Sequence, residues 1–310
     1  PFDTPRKHIF IIFCHGGWTL HTPKGLYSVA TVDTVNEVVN RVGILSQCME
    51  DSANLIRAIN TPDFGSALER MLSHVASFDN FMALAYNGDQ APINLYRSGS
   101  ESASYMSMEE YQSGAYLLDP FYQCLRRGIL PGVYRLRDMT PDHFFRSEYY
   151  RTYYAKTQIV DELGIFIPMS NGGMVVVPIE RECDSKPFGK KEIERLESVE
   201  LVIREAVIQH WRYPEIAEIK TIPSGDRFDT LPIRVQEAAT RGSRAGVTNR
   251  ESEVVSLILR GYSSISIGSM LDISVSTVKV HRKNIYAKLH ISSQAELFSL
   301  FLPLLTRPAA

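Results

Sequence analysis

The side chains with the clearest chemical purpose stand between Val275 and Leu289. There Ser276, Thr277, Lys279, Val280, Arg282 and Lys283 occupy the outward positions of a stretch with helical spacing. An ammonium group donates to guanine O6 and N7, an apolar Val meets a thymine methyl, and Ser, Thr and Arg hold phosphates. Together they suit the reading of double-stranded DNA. From Ile273 to Ile291 the cations Lys279, Arg282, Lys283 and Lys288, with His281 and His290, meet no Asp or Glu. The formal net charge of −2 for the whole chain conceals this local basic patch.

Such a helix reads a groove only if its neighbours hold it rigidly. Thr248 to Glu251 is a capping box that starts a helix, with Val254, Val255, Leu257 and Ile258 as its apolar face and Gly261 at its end. Ser263 caps a short second helix carrying Ile265, Ile267, Met270 and Leu271, in which Gly268 is expected to cost about 1 kcal/mol. Asp272-Ile273-Ser274 makes the turn into the third helix, whose Val275, Val278, Ile285 and Leu289 face the core. A fourth helix opens at a second capping box, Ser293 to Glu296, and runs through Leu297, Phe298, Leu300, Phe301 and Leu302. Part of that apolar face is expected to meet a second subunit, as in a homodimer reading two half-sites.

A second constellation lies upstream. Tyr111, Tyr116, Tyr122, Tyr149, Tyr150 and Tyr153 bring hydroxyls on apolar bodies, and Asp119 stands among them. Apolar walls with a few polar tips make a small-molecule pocket, although rings at helical spacing also serve simply as core. Asp119 either hydrogen-bonds a ligand or caps the segment that Pro120 begins.

Other chemistries lack their residues. The eight histidines accompany no GxSxG nucleophile motif, and no GxxxxGK[ST] phosphate loop or receiver-like order of acidic residues is present. Cys14, Cys48, Cys124 and Cys183 have neither CxxC nor zinc-ligand spacing, so they read as small buried apolar residues in a reducing cytoplasm. Neither enzymatic activity, a cofactor nor a metal is expected. The apolar run Ile9 to Cys14 is too short for a signal peptide and no stretch approaches a membrane span, so the chain is expected to be cytoplasmic.

The intervening sequence supplies the framework. Residues 33–60 and 62–77 read as amphipathic helices, 78–86 and 93–96 as strands, and 109–127 and 141–156 as helices separated by an extended 132–136. Residues 162–169 and 174–181 form a hairpin about Ser170-Asn171-Gly172-Gly173, and 189–212 is a long helix. The fold class is α+β. An α-β-α sensor domain, an antiparallel sheet flanked by helices, occupies residues 31–212, and a four-helix helix-turn-helix domain occupies 246–304. Residues 213–245 are the linker, with a short helix near 233–240, and 1–30 are a leader of uncertain order.

Thr248-x-x-Glu251, Gly261 and Ser276-Thr277-Val278-Lys279-Val280-His281-Arg282-Lys283-Asn284-Ile285-Tyr286-x-Lys288-Leu289 resemble the LuxR-type DNA-binding domain. The resemblance implies that Lys279, Val280 and Lys283 face the bases and that the fourth helix dimerises. Tyr116 to Tyr122, then Phe145-x-Ser147-x-Tyr149-Tyr150-x-x-Tyr153-Tyr154, and Arg181 with Phe188, resemble GAF-like and autoinducer-binding sensor domains. That likeness implies a small-molecule effector. A sensor half controlled by a partner protein is the alternative.

Overall fold

The computed structural model describes residues 10–14, 17–22, 25–88, 90–98, 108–152, 154–212, 229–241 and 246–305. The chain divides into two compact units, Pro1–Asn54 and Leu55–Ala310. In the first, β1 (Phe10–Cys14), β2 (Gly17–Thr22) and β3 (Gly25–Thr31) form an antiparallel three-stranded sheet in that order. α1 (Val32–Arg57) follows. Much of the expected leader is therefore paired strand, with Phe10 opposite His21 and Cys14 opposite Gly17. The β-branched and aromatic residues of the Phe10–Cys14 run favour that conformation. Residues 1–9 of the leader, and 213–228 and 242–245 of the linker, lie outside the described residues.

The second unit is built on one sheet. Its elements run α2 (Phe64–Val75), β4 (Asn80–Tyr86), β5 (Ile93–Arg97), α3 (Met108–Ser113), α4 (Pro120–Arg126), β6 (Gly132–Arg135), α5 (Leu136–Met139), α6 (Glu148–Thr152), β7 (Ile159–Pro168), β8 (Met174–Glu182) and α7 (Lys190–His210). The five strands pair antiparallel in the order β5-β4-β8-β7-β6. Asn171 Oδ1 accepts from Gly173 N at 3.0 Å and closes the central β7–β8 hairpin. Alternate side chains leave opposite faces of a strand. Leu163, Ile165, Val177 and Ile179 accordingly occupy one face, where α7 packs with α2 behind it. Leu84, Tyr86, Phe166 and Val176 occupy the other, in one apolar cluster with residues of α3, α4 and α6. Each fully buried Leu or Ile contributes about 1.5–3 kcal/mol, which is what orders these layers.

Two helices expected from periodicity are broken. Residues 109–127 divide into α3, a 3-10 turn over Ala115–Leu118, and α4. Asp119 is extended (φ −65°, ψ 127°) because the ring of Pro120 excludes the helical conformation before it. Residues 141–156 divide into the 3-10 turn Phe144–Arg146, α6 and the 3-10 turn Tyr154–Thr157. Ser147 is extended there, and its Oγ accepts from Tyr150 N at 3.1 Å. The buried ring of Phe144 lies 5.7–6.1 Å from those of Tyr149, Tyr150 and Tyr154, so aromatic packing overrides helical propensity.

α8 (Thr230–Arg241), α9 (Asn249–Leu259), α10 (Ser264–Leu271), α11 (Val275–Leu289) and α12 (Gln294–Leu305) complete the unit. Val254, Val255, Ile267, Val278, Ile285, Leu289 and Leu297 are all fully buried. Gly261 has φ +90°, and a Cβ there would lie 2.9 Å from Phe144 Cα. It ends the helical segment and admits the backbone of the sensor half in one position. Gly268 is needed rather than weakening: a Cβ on it would lie 2.8 Å from the carbonyl oxygen of Ile273, whose N–H returns to Gly268 O at 2.9 Å.

The cysteines depart from expectation. Cys183 is exposed, Cys48 and Cys124 are half-buried, and the side chain of Cys14 lies outside the described residues. Among the described residues no helix is long and apolar enough to cross a membrane, and no group of three or more His, Cys, Asp or Glu is placed to hold a metal ion.

Two ion pairs set stability predictions. Asp161 is 4 % exposed, receives both Nε and Nη2 of Arg135 at 2.9 and 2.6 Å, and accepts from Phe188 N at 2.7 Å. Asp161→Ala strands both donors and should cost about 2–4 kcal/mol in urea unfolding; a loss below about 1 kcal/mol would contradict this account. Burial raises the Glu251 carboxyl, but Lys288 Nζ at 2.7 Å and the Thr248 cap outweigh it, so the group sits below the usual carboxylate range. Its contribution is present above its unfolded value of about 4.3 and is lost as pH falls through the lower folded value. Urea midpoints taken across that window should fall with acid in the native chain and fall less in Glu251→Gln.

Candidate functional site

The reading helix is fixed at its start by Ser274, whose Oγ accepts from Thr277 N at 3.0 Å and lies 2.7 and 2.8 Å from the Ser276 and Thr277 hydroxyls. Those two residues are exposed but already engaged with the cap. Val278, Ile285 and Leu289 are fully buried, whereas Val275, in the open first turn, is 36 % exposed. Lys279, Val280 and Lys283 are exposed, and spacings of three and four residues bring Val280 and Lys279 beside Lys283 on one side of α11. Arg282 belongs elsewhere. It falls four residues after Val278 and three before Ile285, on the core stripe, and its guanidinium reaches Ser264 Oγ and Tyr286 Oη at 3.4 Å and Gln294 Oε1 at 3.5 Å. Lys288 is held by Glu251, so a carboxylate from α9 opposes part of the basic stretch. His281 is half-buried.

On the other half of the unit, the sheet and α3, α4 and α6 border a partly open cavity of about 80 Å³. At 10–15 Å³ per water, it has space for roughly half a dozen waters or a small ligand. Met82, Leu84, Phe121 and Ile159 give it apolar walls. Its polar tips are tyrosines and acids. Tyr86 Oη lies 2.7 Å from Tyr111 Oη, which donates to Asp119 Oδ2 at 2.5 Å, while Asp119 Oδ1 accepts from Phe121 N at 2.7 Å. Asp119 thus caps α4, one of the two roles the sequence left open, and its carboxyl also lines the cavity. Tyr154 Oη donates to Glu162 Oε2. Burial raises the carboxyl of Asp119; burial, then the nearby acids Glu180 and Asp119, push Glu162 well above the carboxylate range. Burial, opposed by Arg97, pushes Glu180 to about 8.

Of the tyrosines expected around a ligand, Tyr111 and Tyr149 line the cavity. Tyr116 and Tyr122 are buried behind it, with ring centroids 4.9 Å apart. Tyr150 instead stacks on Tyr154 at 5.5 Å and faces a smaller surface recess beside Phe145. Tyr153 lies outside the described residues. Glu162, Glu180, Tyr86, Tyr154 and Arg97 are lining residues that sequence reasoning missed. The available signal was an acid inside each of two apolar strands, in Asp161-Glu162-Leu163-Gly164 and Pro178-Ile179-Glu180.

Helix-turn-helix and sensor half share one hydrophobic cluster, from Leu84 and Tyr86 through Leu231 and Val235 to Val254 and Phe301. His143 N donates to Gly261 O at 2.9 Å and Ser263 N to Asp142 Oδ1 at 3.0 Å. Arg260 pairs with Asp229 through both Nη atoms at 2.5 and 2.6 Å. Of the apolar residues of the fourth helix, Leu297, Phe298 and Phe301 serve this same core and are each at most 3 % exposed.

Residues 245–301 match the family described as GerE, bacterial regulatory proteins, luxR family. An HTH-type transcriptional regulator from the exeN 3′ region of Aeromonas salmonicida is 32% identical over 193 residues, 61% of this chain and 96% of that protein. The monoamine regulon transcriptional regulator of Klebsiella aerogenes is 28% identical over 166 residues, 52% of this chain and 59% of that protein. Among solved structures, the ligand-binding domain of VqsR from Pseudomonas aeruginosa aligns with a TM-score of 0.47 and 27% identity, over 54% of this chain and 98% of that one. With a relative matched along nearly its whole length and a family match spanning the helix-turn-helix, the chain belongs to the luxR family of bacterial transcriptional regulators, which act by binding DNA and are not enzymes.

Proposed function

We propose that this regulator binds its operator as a homodimer and that a small molecule in the cavity of residues 31–212 controls the affinity, with 213–245 as linker and 246–304 as the reading module. The observation that carries this reading is the cavity's position. Its wall residue Tyr86 lies 5.9 Å from the ring of Tyr122, Tyr122 packs on Tyr116, and Tyr116 hydrogen-bonds Arg234 of α8, the helix packed on α9. A ligand that shifts Tyr86 acts on the seat of the helix-turn-helix, and a coupling of about 1–3 kcal/mol is enough to switch occupancy. A solid sensor half would instead have favoured control by a partner protein.

On DNA, Lys279 and Lys283 donate to base edges, Val280 touches a thymine methyl, and Ser276 and Thr277 meet phosphate. Lys279→Ala and Lys283→Ala should each cost about 1–3 kcal/mol at the selected site and relax base preference. Arg282→Ala should weaken all sequences alike, because it loosens the contacts of α11 with Ser264 and Gln294. Equal losses on selected and random DNA for all three variants, measured by fluorescence anisotropy, would refute these roles.

The control mechanism is tested by selecting bound sequences from a random DNA pool with the full chain, with and without bacterial small-molecule extract. A pseudo-palindromic site enriched in one condition only is the expected result. A site indifferent to extract would move control to a partner protein, and enrichment of a single half-site would overturn the dimer.

A further inference from the structure

The cavity's charge is unlike that of a site for a neutral amphiphile. Among its described lining residues three carboxyl groups, Asp119, Glu162 and Glu180, stand against one cationic side chain, Arg97. Glu162 and Glu180 are direct register partners across β7 and β8, so both side chains leave the same face of the sheet. Their surroundings differ. Asp119 accepts from Tyr111 and Phe121, and Glu162 accepts from Tyr154. Glu180 is 4 % exposed, and its Oε2 has no hydrogen-bond partner among the described residues. A buried carboxyl oxygen without a partner is costly, and once ionised it marks the place where a donor carried by something else would fit.

Resting on the reading of this cavity as a ligand site, we propose that the effector is a small organic ammonium ion, its N–H groups donating to Glu180 Oε2 beside Glu162 and its apolar or aromatic body lying on Met82, Leu84 and Ile159. Tyr86 and Tyr149 add ring faces to which a cation is attracted. The same geometry disfavours two rivals. A carboxylate ligand would meet three acids, and a bare metal ion would lack a converging ligand set, because no three acidic, His or Cys groups among the described residues are placed to hold one. The size of the cavity points to a ligand of roughly six to ten non-hydrogen atoms rather than a long acyl chain.

Proton balance follows from the groups that face Glu180: Glu162 on β7, Arg97 on β5, Glu182 on its own strand, Asp119 before α4 and Tyr154 after α6. Without a ligand Glu180, pushed up to about 8, holds a proton near neutrality. An entering ammonium stays protonated, the carboxyl it meets gives its proton to solvent, and the ion pair replaces a buried acid. Binding therefore releases a proton and strengthens as pH rises toward the range of Glu180, about 8.

The test is calorimetric titration of the full chain with three probes of matched size, phenethylamine, 2-phenylethanol and phenylacetate, in two buffers of different ionisation enthalpy. Phenethylamine is expected to bind with proton release, the alcohol weakly and the carboxylate not at all. Glu180→Gln should weaken phenethylamine about ten- to hundredfold while leaving the alcohol unchanged. This variant removes a buried acid and keeps its shape, so it should fold; Glu162→Gln, with its weaker expected loss, repeats the measurement one strand away. If the alcohol binds and phenethylamine does not, or if Glu180→Gln leaves amine affinity intact, the cationic ligand class is wrong and the sensor reading survives. If none of the three probes binds and a cavity-filling Leu84→Phe leaves extract-dependent DNA selection untouched, the sensor reading itself fails.

Discussion

The second unit depends on the register of β7 against β8. These strands lie inside the sheet, and their pairing from Leu163–Ile179 to Ile167–Val175 decides which side chains go to the α7 face and which to the cavity face. A slip of one residue in either strand would carry its acid, Glu162 or Glu180, into the layer filled by Leu163, Ile165, Val177 and Ile179, and would bring that strand's apolar groups to the tyrosines. The register is held from three sides. Asn171 closes the turn, apolar burial fills the α7 face, and Asp161 ties β7 to Arg135 of β6 and to the backbone before α7. Because Asp161 and Glu162 are adjacent on an extended strand, one acid serves the framework and the next serves the cavity.

The second constraint is the seat of the helix-turn-helix on the sensor half. It combines apolar continuity through α8 with a few directional bonds, and the directional ones cluster where α9 ends. Gly261 lets the chain pass against the backbone of Phe144, Asp142 caps the backbone at Ser263, and Arg260 reaches Asp229. Phe144 is also the ring around which Tyr149, Tyr150 and Tyr154 assemble, and Tyr149 and Tyr154 line the cavity. Phe144 therefore touches both the DNA-binding half and the tyrosines of the cavity wall. Packed cores have discrete arrangements rather than continuous ones, so a ligand of the kind proposed would act by changing the population of this docked state.

The DNA-binding half was legible in the sequence because its signals are local. Capping boxes, the glycine at the end of α9 and a core stripe with a period near 3.6 fix four helices without reference to distant residues. Arg282 shows the limit even there, since its charge suggested the outer face while its spacing from Val278 and Ile285 put it on the inner one. The sensor half was legible in class but not in detail. Its strands and long helix follow from alternation and stripe, yet the helices expected at 109–127 and 141–156 were broken by Pro120 and by the aromatic cluster around Phe144, a matter of tertiary packing. Residue type led to Tyr111 and Tyr149 on the cavity wall, but also to Tyr116, Tyr122 and Tyr150, which do not line it, and passed over Tyr86 and Tyr154. The acids were missed because Glu162 and Glu180 become neighbours only through a pairing across the hairpin, which no local window contains.

That pairing also bears on why the acids are there. Two buried carboxyl groups facing each other weaken a hairpin that aliphatic residues of similar size would strengthen, since burying a charge costs more than a partial set of hydrogen bonds returns. The rest of the hairpin shows the alternative, with Ile165, Phe166, Val175, Val176 and Val177 packed to near-zero exposure. The departure is confined to the positions where the sheet faces free space, and there the compensation is incomplete, with Tyr154 on Glu162 and no donor on Glu180 Oε2. Stability withheld at one place, beside a cavity whose wall leads through Tyr86 and Tyr122 toward α8, is stability a ligand can restore by binding. Under the proposed control, restoration of that kind would favour the occupied arrangement by the ligand's own differential affinity, and so convert a small molecule into a change in the seating of the DNA-reading helix.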